Sequence, residues 1–206
     1  MPKRVQKYVM PAFLLMALPV MAACATIQEP GALQTKSETV ELGSAETVRV
    51  NLDGGFGELY VEGGASELLE ADFRYNIDEL EPEVDYSVSG DTGRLTVSNR
   101  DNINVIPTGE VESEWRLAFA ENVPMEMDIA LGFGDSDLDL SDLTVTSLEV
   151  KAGAGRLDLN VGNQTLDRLK VEAGLGDVSV DVFGGSIGRF DFQSGAGLTV
   201  IDLRGE

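Results

Sequence analysis

Histidine is absent from the sequence, and cysteine occurs once, at position 24. Without histidine there is no imidazole to act as a general base, to ligate zinc or to complete a Ser-His-Asp triad. One cysteine permits neither an intramolecular disulfide nor a cysteine-rich metal cluster. Aromatic residues make up only 6% of the chain, which counts against the substrate-binding aromatics that a glycoside-hydrolysing cleft needs. Basic residues are scarce as well, with 15 Lys and Arg against 36 Asp and Glu. An acidic surface of that kind repels phosphate backbones and argues against a nucleic-acid partner. The longest apolar run, Val9 to Ala23, falls short of the roughly 20 residues of a membrane-spanning helix, and Pro11 and Pro19 interrupt it.

That run has a different use. Lys3, Arg4 and Lys7 precede it as a basic segment, and it ends in Met21-Ala22-Ala23-Cys24. The layout is that of a secretory signal, and its end resembles the bacterial lipobox, in which small residues precede a cysteine that is acylated before cleavage. It implies a mature chain that begins at a lipidated Cys24 and sits outside the cytoplasm, on the outer membrane or the outer face of the cytoplasmic membrane. The other reading is an ordinary signal cleaved after Ala23 or Ala25, with Cys24 incidental. Cleavage removes three basic residues and no acidic ones, leaving 15 − 3 = 12 basic against 36 acidic. Residues 25–45 are polar, contain Pro30, Gly31 and Gly43, and show no sustained period; they read as a flexible tether.

The rest of the chain is organised by a repeat. Gly-x-Gly triplets stand at Gly132-Phe133-Gly134, Gly153-Ala154-Gly155, Gly174-Leu175-Gly176 and Gly195-Ala196-Gly197, each starting 21 residues after the last, and Gly55-Phe56-Gly57 is similar. Mostly apolar residues keep register with them: Ser136 and Leu138, Leu157 and Leu159, Val178 and Val180 in one place, Leu148 and Val150, Leu169 and Val171, Phe190 and Phe192 in another. The same frame extends back to Trp115, Leu117, Met127 and Ile129, and reappears in Leu59, Val61, Ala71 and Phe73. Alternation within each unit has period two, which means two short strands per unit with a glycine corner between them. A single unit cannot bury its own apolar face, but a stack of units can. The expected fold is therefore all-β, a parallel β-helix or β-solenoid of about 21-residue coils. Asn99 to Ser113 reads as a loop leaving the stack, and an antiparallel sandwich is the lesser alternative.

The run ETVRVNLDGGFGELYVEGGASELLEADFRYN, followed by EPEVDY and GRLTV, resembles the N-terminal part of the bacterial toast-rack family. The later GFGDSDLDLSDL and GAGRLDLNV are similar to the adhesin-like β-solenoid part shared with LiaF-like proteins. The resemblance spans about residues 45–206 and implies a stacked-strand fold outside the membrane. It brings no catalytic residues with it. LiaF-like proteins restrain a sensor kinase through an assembly anchored by transmembrane helices, which this sequence lacks, so regulation is only suggested. The expected organisation is a signal segment over 1–23, lipidated cysteine and tether over 24–45, a toast-rack-like part over 46–110 and regular repeats over 111–206, the last two continuous.

Chemistry is sparse. On the first strand of each unit the outward places form two columns: Arg116, Asp137, Asp158 and Ser179, then Ala118, Asp139, Asn160 and Asp181. On the second strand charges partly alternate in sign, as in Asp128, Glu149, Lys170 and Asp191. The acidic columns read as a solvated face. Two further readings stay open: a calcium site formed by Asp137, Asp139, Asp158 and Asp181 as hard oxygen ligands, or a catalytic carboxylate pair, which would also need a cleft and aromatic subsites. No cofactor other than the lipid is implied. The functional expectation is a non-catalytic interaction, sensing or structural module whose partner is an envelope protein or a cell-wall component. The alternative is a carbohydrate-binding or carbohydrate-active β-helix.

Overall fold

The computed structural model describes residues 26–99, 105–107 and 109–204. The signal segment and Cys24 lie outside the described residues. The described residues begin with β1 (Thr26–Gln28), β2 (Gln34–Val40), β3 (Thr47–Phe56), β4 (Glu58–Gly63) and β5 (Leu69–Tyr75). A single 3₁₀ turn at Asp78–Leu80 leads to β6 (Pro82–Ser89), β7 (Thr92–Asn99), β8 (Val105–Pro107) and β9 (Ser113–Phe119). Then follow β10 (Pro124–Phe133), β11 (Ser136–Asp139), β12 (Thr144–Ala154), β13 (Leu157–Gly162) and β14 (Thr165–Leu175), and finally β15 (Val178–Phe183), β16 (Ser186–Ala196) and β17 (Thr199–Arg204).

Alternation along these strands builds two facing sheets. In β3 the residues Val48, Val50 and Leu52 point inward and are buried, while Arg49, Asn51 and Asp53 face solvent. In β13 Leu157, Leu159 and Val161 do the same. One sheet has the order β16-β14-β12-β10-β3-β7-β6 and the other β17-β15-β13-β11-β4-β9-β5-β2. A large apolar cluster runs between them from Ala45 to Val182, and a smaller one gathers Tyr75, Ile77 and Leu80. Each fully buried Val or Leu contributes roughly 1.5–3 kcal/mol to this stack. The result is a β-solenoid-like fold with a continuous core.

The strands of successive coils are parallel and in register. Leu157 pairs with Val178, Leu159 with Val180, and Leu169 with Phe190, each 21 positions apart (178 − 157, 180 − 159, 190 − 169). The stacking order of the N-terminal half departs from the backward extension of the repeat frame. Ser136 and Leu138 pair with Leu59 and Val61, not with Trp115 and Leu117. Trp115 and Leu117 lie on the other side of β4, again paired with Leu59 and Val61. The first coil, β3 and β4, is thus inserted between β10–β11 and β7–β9. Phase alone could not show this, because every coil shares the same inward pattern.

The two glycines of a triplet serve different needs. The third, as in Gly134, Gly155, Gly176 and Gly197, has φ between 137° and 146°, a region L-residues avoid. The first lies in extended backbone pressed against the coil below: a Cβ on Gly153 would stand 2.1 Å from the Gly132 carbonyl oxygen. Conformation and close stacking both exclude a side chain here, so the corner is more constrained than turn chemistry alone would require.

The tether reading fails over residues 34–40. They form β2, which pairs antiparallel with β5 from Gln34↔Tyr75 to Val40↔Leu69. Main-chain bonding to an existing edge, with Ser37 Oγ donating to Asp72 Oδ1 at 2.5 Å and Lys36 Nζ to the Pro82 carbonyl at 2.8 Å, holds a strand whose side chains are too polar to announce it. The segment Asn99–Ser113 is likewise not all loop, since β8 pairs in parallel with β1 and Ser113 opens β9.

The ends of the stack differ. At the N-terminal end antiparallel strands close it: β6 on β7, and β5 with β2 on β9. Val40, Leu42, Val84 and Tyr86 lean on the core there, and the Tyr86 hydroxyl donates to the Leu42 carbonyl at 2.8 Å. At the other end nothing among the described residues covers β16 and β17. Val180 and Val182 are 0% and 5% exposed, whereas their partners one coil on, Ile201 and Leu203, are 36% and 51% exposed.

Candidate functional site

A recess of about 650 Å³ opens where the glycine corner of the first coils meets the segment leading into β9. Its apolar surface is Phe56, Phe133 and Val111. Phe56 and Phe133 are the middle residues of two Gly-x-Gly triplets, paired across β3 and β10 and stacked at 5.3 Å between ring centroids. Phe133 leaves 57% of its surface exposed. Around them stand Glu58, Glu110, Glu112, Glu114 and Asp135, with Arg74 as the single cation of the lining among the described residues. Ser113, buried in the wall, has a hydroxyl with no hydrogen-bond partner among the described residues. Asp135 is partly committed to the fold, accepting from the Arg156 backbone N–H at 2.8 Å. Glu58 accepts from the Tyr60 hydroxyl at 2.9 Å, a bond that raises the tyrosine's pKa above its ordinary value. Glu114 pairs with Arg116 at 2.8 Å, and that guanidinium covers the Tyr60 ring at 4.3 Å. Glu110 and Glu112 come from the stretch just before β9 and complete the acidic rim.

The sequence-predicted acidic residues are distributed unevenly. Asp137 and Asp158 are direct cross-strand partners, with Tyr60 and Ser179 on either side of the pair. Arg116 therefore neighbours Tyr60 rather than Asp137. Asp139 and Asp181 are separated by Asn160, whose amide donates to Asp139 Oδ1 at 3.1 Å. That same Asp139 oxygen also accepts from the Ser141 hydroxyl at 2.6 Å and caps the turn after β11. Among the described residues no group of three or more carboxylates is placed to hold a metal ion. The cation reading stays a proposal resting on the Asp137–Asp158 pair, and it has a direct test. Asp137→Asn with Asp158→Asn is expected to raise the thermal midpoint by about 1–3 °C, because like charges directly opposite destabilise a strand pair. If a cation is held there, millimolar calcium stabilises the wild type more than sodium chloride of equal ionic strength does, and the double variant loses that excess. Equal effects of the two salts leave the column a solvated face.

The opposite sheet manages its charges differently. Glu149 lies between Lys151 and Lys170, with both ammonium groups at 2.8 Å. Hydrogen bonds from these lysines hold its carboxyl at about 2, well below the usual range. Lys170 also reaches Glu172 at 3.0 Å. One coil-bridging group escaped the sequence reading altogether. Gln164 is buried, accepts from the Val145 N–H at 2.7 Å and donates to the carbonyls of Leu140 and Val161.

The sequence matches the family described as the N-terminal domain of toast_rack, DUF2154, over residues 29–181, which is most of the chain. The protein is a member of the toast-rack family. Among solved structures this toast-rack chain is similar to a protein from Clostridium sporogenes ATCC 15579 described as a proposed cell adhesion protein. The two share 23% identity with a TM-score of 0.74, over 84% of this chain and 100% of that one, which shows a common fold. Two proposed adhesins align more loosely. One, from Parabacteroides distasonis ATCC 8503, has 13% identity and a TM-score of 0.37, covering 87% of this chain and 98% of that one. The other, from Bacteroides fragilis NCTC 9343, has 14% identity and a TM-score of 0.33, covering 86% and 97%. Among curated proteins none matches.

Proposed function

We propose that this toast-rack protein is a non-catalytic interaction module of the cell envelope, anchored outside the cytoplasm by lipid on Cys24, which binds a cationic segment of a partner at the Phe56–Phe133 recess. The recess carries the reading. Among the described residues, five carboxylates against one guanidinium favour a cation, and the exposed Phe133 ring offers an apolar platform beside them. A lysine or arginine side chain suits both parts, with its stem or guanidinium on the ring and its charge at the acidic rim. The compartment rests on the lipobox-like Met21-Ala22-Ala23-Cys24 and on the cysteine being the only one.

A second reading has its own observation. An aromatic face beside carboxylates is also how a protein holds a sugar ring, so a glycan could occupy the same recess. A binding series on the full chain separates the two. A lysine-rich peptide is expected to bind with salt-sensitive affinity, and Phe133→Ala to weaken it about tenfold, or roughly 1.4 kcal/mol. Soluble cell-wall glycan binding instead, again lost in Phe133→Ala, would replace the first reading with the second. Binding of neither removes the recess as the site. The anchor is tested separately: labelled fatty acid should enter the wild type and not Cys24→Ser. A wild type with no label and a free mature N-terminus would refute it.

A further inference from the structure

We infer that the open end of the stack docks on the open end of a second copy of this chain, with β16 pairing antiparallel to β16 and β17 to β17 about one two-fold axis. The end is unfinished in two ways. Its inward places, Phe190 and Phe192 on β16 and Ile201 and Leu203 on β17, have a neighbouring coil on one side only. Leu169 and Val171, the partners of the two phenylalanines, are 0% exposed, whereas both rings are half-buried. Both strands are also sheet edges, whose outer main-chain groups have no strand beside them among the described residues.

Charge selects the occupant. The outward residues on β16 include Arg189 and Asp191, and those on β17 include Asp202 and Arg204. Within one chain each pair is closed along its own strand, Arg189 to Asp191 at 2.7 Å and Arg204 to Asp202 at 2.9 Å. An antiparallel copy of β16 centred on Phe190 puts Arg189 opposite Asp191 of the second copy, and the reverse. An antiparallel copy of β17 centred on Leu203 does the same for Asp202 and Arg204. The two centres are compatible with a single axis. Phe190 precedes Ala196 by six positions (196 − 190), and Leu203 follows Gly197 by six (203 − 197), so both stand equally far from the corner that joins the strands. The same register sets Phe192 opposite Gly188 of the second copy, large against small. A partner edge of a single charge sign would satisfy only half of these outward groups. An isologous contact satisfies all of them.

The test uses the full chain with Cys24→Ser, so that an introduced thiol is the only one. Leu203→Cys would lie directly opposite itself, where Cα atoms are about 4.5–5.5 Å apart, inside the disulfide range of about 4.4–6.8 Å. Mild oxidation is expected to cross-link Leu203→Cys nearly completely and to leave Phe133→Cys, exposed elsewhere, as single chains. Light scattering of the Cys24→Ser chain should give twice the chain mass. Arg189→Asp with Arg204→Asp should return it to single mass. Exchanging both pairs fully, Arg189→Asp with Asp191→Arg and Asp202→Arg with Arg204→Asp, keeps the self-complementarity and should restore the dimer. Thermal midpoints check that each variant is folded. A Cys24→Ser chain that stays single at its highest soluble concentration, or a Leu203→Cys chain that cross-links no better than Phe133→Cys, overturns the proposal. So does an exchanged variant that stays monomeric while folded.

Discussion

Gly155→Ala is expected to lower the thermal midpoint by about 10 °C or more, corresponding to at least about 4 kcal/mol. Gly155 has φ 139°, and a Cβ there would stand 1.8 Å from the Gly134 carbonyl oxygen and 2.6 Å from its carbon. The obstacle is backbone, so no rotamer change relieves it. Nor can Gly134 withdraw, because it is itself packed on Gly57, where a Cβ would lie 1.7 Å from the carbonyl oxygen. Relief at one corner moves the whole ladder of corners. Gly64→Ala is the matched control. It also has a positive φ, 106°, but a Cβ there would meet nothing within 4 Å, so the substitution should cost only the backbone strain of about 1–3 kcal/mol. Similar midpoints for the two variants would show that conformational preference, and not close stacking, is what glycine supplies at the corner.

Val180→Asp should have an effect of the same order, with a different signature. Val180 is fully buried between Leu159 and Ile201 in the column of inward residues. A carboxylate there has no cation or donor inside the core, and leaving it unpaired costs several kcal/mol. In a stack held by nearest-neighbour contacts, the damage spreads to adjacent coils before it reaches the closed end. We expect β15 to β17 to become sensitive to protease at temperatures where the N-terminal strands still resist. Ser179→Asp, one residue away and facing outward, should change the stability by less than about 1 kcal/mol. A Val180→Asp protein as protease-resistant as Ser179→Asp would mean that this column is not core.

The inward columns were legible because they satisfy a simple rule, one side chain in two, repeated at a fixed interval. Leu157, Leu159, Val178 and Val180 lie where that rule puts them. The place of the first coil was not legible, since Trp115 and Leu59 carry the same phase and only long-range pairing decides which sits beside Ser136. Strand β2 was hidden for a different reason: QTKSETV carries almost no apolar signal and is held by main-chain bonds to β5. The recess draws on β3, β5, β10 and the segment before β9, so no local motif could announce it. One clue was present, in that the middle residue of the triplet is phenylalanine at 56 and 133 and smaller or aliphatic at 154, 175 and 196. Two aromatic residues at equivalent outward corners are a reason to look for a surface there.

The insertion of the first coil also sets the order in which the molecule can assemble. Val48 and Leu59 must find Met125 and Ser136, 77 positions away in both cases (125 − 48 and 136 − 59). Each later coil closes on a segment only 21 positions before it. Closing the longer loop costs about 1 kcal/mol more in chain entropy, from the logarithm of the length ratio. That penalty falls once, on the step that joins β10 and β11 to the first coil, and slow non-local closure of this kind limits folding rates. A chain emerging N-terminus first holds an apolar coil open on one flank until residues 124–139 have followed. After that, coils add in one direction, each templated by the last, and the final one to form is the coil with the fewest neighbours.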